Sequence, residues 1–173
     1  MLNKIKLTKK HTTIIFCSLW FIIILFMVVS NEMIIRSGKE VLLKTVPVDP
    51  RDFMRGDYVI LNYDISTPKA ILNEKISKRL KYRQKVYISL DVDENGIAHA
   101  KSMSIEKPKN KEYFIRGEVL NYKNSIEYGI ETYFVKENTG KEIEKNIQEG
   151  MLAKVKIDKN GKAKIVDLIK ISK

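Results

Sequence analysis

Residues 53–63 read FMRGDYVILNY, and residues 114–122 read FIRGEVLNY. Each stretch opens on phenylalanine, passes an Arg-Gly-acid step and closes an apolar run on Leu-Asn-Tyr. Branched and aromatic residues in alternation mark both as strands. In the first, Tyr58, Ile60 and Asn62 fall on one face and Val59, Leu61 and Tyr63 on the other. Both faces are mostly apolar, so a single strand buried on two sides is expected.

The surroundings of the two stretches rhyme as well. Before the first lies EVLLKTVPV (40–48), apolar and branched enough for a strand, with Pro47 and Pro50 bracketing a loop. After it, Ile71, Leu72, Ile76 and Leu80 sit at helical spacing within 69–80. VYISLDVDENGIAHAKSMSI (86–105) then alternates around Asn95-Gly96, which predicts a hairpin with a type I′ turn. The second stretch is followed by YGIETYFV (128–135), read as one strand, and by ENTGKEIEKNIQEG (137–150), read as a helix. Thr139 and Glu142 have capping-box spacing there, and Gly150 ends it. A second hairpin, LAKVKIDKNGKAKIVDLIKI (152–171), turns at Asn160-Gly161.

The fold class expected is mainly β with some α. An N-terminal transmembrane helix precedes a β-rich barrel- or sandwich-like domain. That domain is built of two pseudo-repeated β-β-α-β-β halves, roughly 40–107 and 108–173. Neither half alone buries an adequate core, so the two must pack together.

The stretch TTIIFCSLWFIIILFMVVS (12–30) carries no charge. About 20 apolar residues in a helix cross a bilayer core of roughly 30 Å. Lys4, Lys6, Lys9 and Lys10 precede it with no acidic residue, which orients the N-terminus to the cytoplasm. The chain thus divides into a basic cytoplasmic segment (1–11), a transmembrane helix acting as signal-anchor (12–30) and an extracytoplasmic domain (31–173). Cleavage after Val28-Val29-Ser30 is the rival reading, but the apolar run exceeds the roughly 7–15 residues of a signal h-region. In a bacterium the expected location is the cytoplasmic membrane.

The single cysteine, Cys17, lies within the apolar stretch, so the domain beyond it has no disulfide and no thiol chemistry. Of 32 basic and 21 acidic residues, only four basic ones precede Asn31, leaving 28 against 21 beyond it. That +7 excess suits anionic envelope components, although the lysines are scattered along the sequence. No nucleic-acid partner is expected.

Several motifs fail on their context. Arg55-Gly56-Asp57 spells an adhesion tripeptide but leads straight into a strand, where Gly56 and Asp57 serve a turn. Asp91 to Gly96 matches the front of a calcium loop, yet Ser102 stands where a bidentate glutamate is required. Against the signal-peptidase-like fold, the position for the catalytic serine holds Val48. His99 has no second histidine beyond the apolar stretch, so neither a triad nor a histidine zinc site is supported. No catalytic residue, metal site or cofactor is assigned.

PVDPRDFMRGDYVILNYDIS (47–66) resembles the signature of the GDYXXLXY family of bacterial membrane-anchored proteins. Gly56, Asp57, Tyr58, Leu61 and Tyr63 fill every specified position, and Pro47-x-Asp49-Pro50-Arg51-Asp52 is similar to the family's lead-in. Tyr128-Gly129-Ile130-Glu131-x-Tyr133-Phe134-Val135-x-Glu137 resembles its second block. The resemblance implies no reaction. It implies association with polytopic membrane proteins, and it directs attention to Asp49, Arg51, Asp52, Asp57, Tyr58, Tyr63, Tyr128, Glu131, Tyr133 and Glu137. These ten form either a hydrogen-bonded network that joins the halves or a groove for a polar ligand. The functional expectation is a single-pass binding or accessory module acting with a polytopic membrane protein. The alternative is an exported enzyme using carboxylates and tyrosines on envelope material.

Overall fold

A computed structural model describes residues 9–46, 58–67, 80–109, 113–120, 125–135, 143, 146–147 and 150–170. The predicted helix at 69–80 lies outside these, apart from Leu80. Of the predicted helix at 137–150, Ile143, Asn146 and Ile147 are described and helical, while the Thr139/Glu142 cap lies outside.

Helix α1 spans Lys9–Ser37 and its side chains face outward almost throughout, Phe26 at 71% exposure among them. It is long and apolar enough to cross a membrane. The helix outruns the uncharged stretch because Glu32 and Arg36, one turn apart, pair at 2.7 Å on its flank and Ile34 is buried against the domain.

Among the described residues ten strands follow: β1 (Lys39–Val46), β2 (Tyr58–Ile60), β3 (Asn62–Tyr63), β4 (Lys85–Val92), β5 (Ala98–Ser104), β6 (Tyr113–Val119), β7 (Ile126–Glu127), β8 (Thr132–Phe134), β9 (Met151–Ile157) and β10 (Ala163–Lys170). They form two four-stranded sheets, β10-β9-β1-β3 and β5-β4-β6-β7, and a two-stranded sheet, β2-β8. All named ladders are antiparallel. The sheets share one core, to which Val41, Leu43, Leu61, Val86, Ile115 and Val155 contribute at 1% exposure or less. The mainly β expectation holds, and among the described strands no closed barrel forms.

The strand orders of the two large sheets become identical when β1, β3, β9 and β10 are matched to β6, β7, β4 and β5. Each half's opening strand lies in the other half's sheet: β1 pairs with β9, and β6 with β4. Two further hydrogen bonds repeat the exchange. Leu42 on β1 donates its amide to the Gly96 carbonyl, and Arg116 on β6 donates to the Gly161 carbonyl, at 2.9 and 2.8 Å.

The correspondence differs from the one the sequence tokens suggest. FIRGEV forms β6, whose counterpart is β1, whereas YVILNY forms β2 and β3. From Tyr63 onward the matching positions are 65 apart (63 with 128, 65 with 130, 93 with 158, 96 with 161). Tyr128, not the Tyr122 of the second Leu-Asn-Tyr, therefore corresponds to Tyr63.

Both hairpin turns are built alike. The Asp93 carboxylate accepts the amides of Asn95 and Ile97, and the Asp158 carboxylate those of Asn160 and Lys162, all within 2.8–2.9 Å. Gly96 and Gly161 have φ of 80° and 78°, while neither asparagine has positive φ. These are type I turns closed by a glycine bulge, not the expected type I′ turns, because the aspartate fixes the residues before the glycine.

The predicted strand at YVILNY (58–63) is divided, and of YGIETYFV only β8 is strand. The first breaks at Leu61, sending β2 to β8 and β3 to β1. Its Val59, Leu61 and Tyr63 are buried and the alternate residues only half-buried, so one face dominates. In the second, Tyr128–Ile130 turn ahead of β8, with Gly129 at a φ of 77°, and β7 ends before the segment at Glu127.

Candidate functional site

The two halves meet where β3 and β7 end, at Tyr63-Asp64-Ile65 and Tyr128-Gly129-Ile130. The Tyr63 phenol donates to the Ile130 carbonyl at 2.5 Å. The Tyr128 phenol donates to the Ile65 carbonyl at 2.6 Å. Each tyrosine thus satisfies the carbonyl two residues beyond its own counterpart. Both rings are buried, at 1% and 6% exposure.

Glu131 completes this crossing. Its two carboxylate oxygens accept the amides of Tyr128 at 2.6 Å and Gly129 at 2.9 Å. Its carbonyl accepts the Leu61 amide at 2.7 Å, in the gap between β2 and β3. One residue therefore fixes the turn of the second half and the strand break of the first.

The electrostatics keep the phenols protonated. Burial pushes the Tyr63 hydroxyl far above its ordinary value, and the Glu131 charge adds to the effect. Tyr128 is raised by burial, then by Glu131 and Asp64. A buried phenol that donates its proton to a backbone carbonyl acts here as a structural donor tying the two halves together.

The first half carries less complete pairing. Among the described residues Asp64 Oδ1 and the Ser66 hydroxyl are buried without a hydrogen-bond partner. Partial burial raises the Asp64 carboxyl, against lowering by the Ile65 amide, His99 and Lys44.

Beside Tyr128 opens a cleft of about 260 Å³ lined by Arg116, Glu118, Glu127, Gly129, Lys162 and Lys164 among others. Glu118 and Glu127 face each other across the β6-β7 ladder, and partial burial, Glu131 and Glu118 raise the Glu127 carboxyl. The described residues contain no group of three or more His, Cys, Asp or Glu side chains arranged to hold a metal ion.

The GDYXXLXY protein family model matches residues 20–168. The chain belongs to the GDYXXLXY family. No curated protein and no solved structure matches it. In this GDYXXLXY chain the signature residues have distinct tasks. Tyr58 stands edge-on to Phe134 at 6.2 Å on the β2-β8 sheet. Leu61 occupies the strand break at 1% exposure, and Tyr63 makes the crossing bond.

Of the ten residues singled out from the sequence, Tyr63, Tyr128 and Glu131 come together at the crossing. Tyr58 and Tyr133 lie on the adjoining β2-β8 sheet, where Tyr133 pairs with Val59. Asp49, Arg51, Asp52, Asp57 and Glu137 lie outside the described residues. The cleft residues Arg116, Glu118, Glu127, Lys162 and Lys164 escaped the sequence reading, since only strand register brings Glu118 opposite Glu127. The Asp64-Ser66 turn escaped it because polar residues after a strand normally face water.

Proposed function

We propose that this protein is a membrane-anchored accessory module that acts outside the cytoplasm on a polytopic membrane protein, rather than an enzyme. The observation that carries the reading is the commitment of Tyr63, Tyr128 and Glu131 to backbone partners. These side chains close the module on itself, which leaves recognition to its surface. Four lysines before the apolar stretch 12–30 support the outward orientation. Phe134, at 78% exposure beside Tyr58, supplies an aromatic contact of the kind that anchors protein interfaces.

A photo-crosslinking residue at position 134, in chain expressed at native level, tests this directly. Irradiation of intact membranes is expected to join the chain to a multi-spanning membrane protein, recovered in mild detergent. Recovery of uncrosslinked chain alone overturns the reading. Protease treatment of intact cells and of spheroplasts checks the orientation: digestion of the C-terminal domain only from the cytosolic side overturns it.

A further inference from the structure

The lysines that are scattered in the sequence converge at the membrane end of the domain. Gly38 is the only residue between α1 and β1, and its amide donates to the Ile34 carbonyl at 2.9 Å. A side chain at Gly38 would run into that carbonyl and crowd the backbone of Ile157, so helix and sheet touch without a linker. Lys39 is in register with Ile157, and Ile157 with Ala163, which sets the β9–β10 turn level with the first residue of β1. Ile34, a turn back along α1, is buried where the helix meets β9 and β10.

The lengths fix the height of this turn. From Ser30 to Ser37 the helix rises about 10 Å. The polar layer on each side of a bilayer core is roughly 5–8 Å deep. With α1 along the membrane normal, the β9–β10 turn stands at the outer edge of the headgroup layer. Its exposed cations are Lys159 and Lys162, with Lys107 beside them, whose ammonium reaches Asn160 Oδ1 at 2.9 Å, and Lys39 nearby, whose ammonium lies over the Tyr113 ring at 4.4 Å. The one acid in the turn, Asp158, is engaged with the amides of Asn160 and Lys162.

We propose that this lysine-bearing hairpin tip rests on anionic phospholipid headgroups of the membrane that holds α1, and so fixes how the domain stands on it. The inference depends on α1 being an uncleaved anchor. Several ammonium groups within a Debye length of a negative surface act together, and high salt dissolves the effect.

The test uses the full chain in nanodiscs of phosphatidylcholine alone or mixed with phosphatidylglycerol. Brief amine acetylation is read at each lysine by mass spectrometry. Lys159 and Lys162 are expected to label about three-fold more slowly on the anionic discs, and equally on both in about 1 M salt. Lys170, at the far end of β10, serves as the unchanged reference. The double variant Lys159→Glu, Lys162→Glu is expected to abolish the lipid-dependent protection of Lys107. Equal labelling of Lys159 and Lys162 on both discs overturns the proposal while leaving the anchor intact. A chain that does not enter the discs overturns the anchor reading and this proposal with it.

Discussion

The turns Tyr63–Ser66 and Tyr128–Glu131 occupy corresponding places and make the same crossing bond, yet they differ in how their other polar groups are satisfied. In the second, the Glu131 carboxylate takes both free amides. In the first, the corresponding position is Ser66, whose hydroxyl is buried and unpaired among the described residues, next to an Asp64 oxygen in the same condition. The shared part is what a β-strand end needs to lock onto its partner half. The unshared part is where one half is finished and the other carries unmet polar groups.

The largest effect sharpens a parallel contrast between the hairpins. Gly96→Ala meets only Leu42 Cδ1 at 4.0 Å, so the left-handed φ alone costs about 1 kcal/mol. At Gly161 the same change also meets the Phe114 ring and the Arg116 amide nitrogen within 2.8–2.9 Å. Gly161→Ala should cost about 3 kcal/mol or more in thermal melts of the full chain in detergent. Equal losses at the two glycines would break the picture of a β9–β10 turn seated on β6.

Glu131→Ala comes next, because it strands the amides of Tyr128 and Gly129. A loss of about 2 kcal/mol is expected, measured in the same way. Tyr63→Phe and Tyr128→Phe each orphan one carbonyl and should cost about 1 kcal/mol, with similar values for the two. A clear inequality would show that the crossing is energetically one-sided despite its matched geometry.

The smallest effect concerns Asp64. Its folded-state value is raised above 3.8, so the folded chain holds the ionised form at a disadvantage. That disadvantage is absent below the unfolded value, grows as pH rises through the folded one, and is fully present at neutral pH. Asp64→Asn should therefore raise Tm at pH 7 by about 2 °C and give no gain near pH 3. A gain of the same size at both pH values would assign the effect to something other than ionisation.

The sequence made much of this legible. Uncharged residues 12–30 announced the long apolar helix α1, and the two Asp-x-Asn-Gly steps placed both hairpins. The bond between Tyr63 and Ile130 was out of reach, because it depends on which half's strand enters which sheet. The Leu-Asn-Tyr token even pointed to Tyr122 in place of Tyr128, since local composition repeats more cheaply than topology. Leu61 illustrates the same limit: alternation continues through it, and only the Glu131 carbonyl across the gap reveals the break. In the candidate site, aromatic and acidic residues stood out as types, while the pairing of Glu118 with Glu127 required the ladder itself.

The exchange of opening strands also sets a schedule for biogenesis. β1 emerges directly behind α1, but its neighbour β9 is made only after β2 to β8. Until that hairpin arrives, the β1 edge that β9 later covers holds an open row of amides and carbonyls. Chains cut short before residue 151 can never fill that row, so such a fragment should be cleared by proteases while a chain that includes β9 and β10 survives.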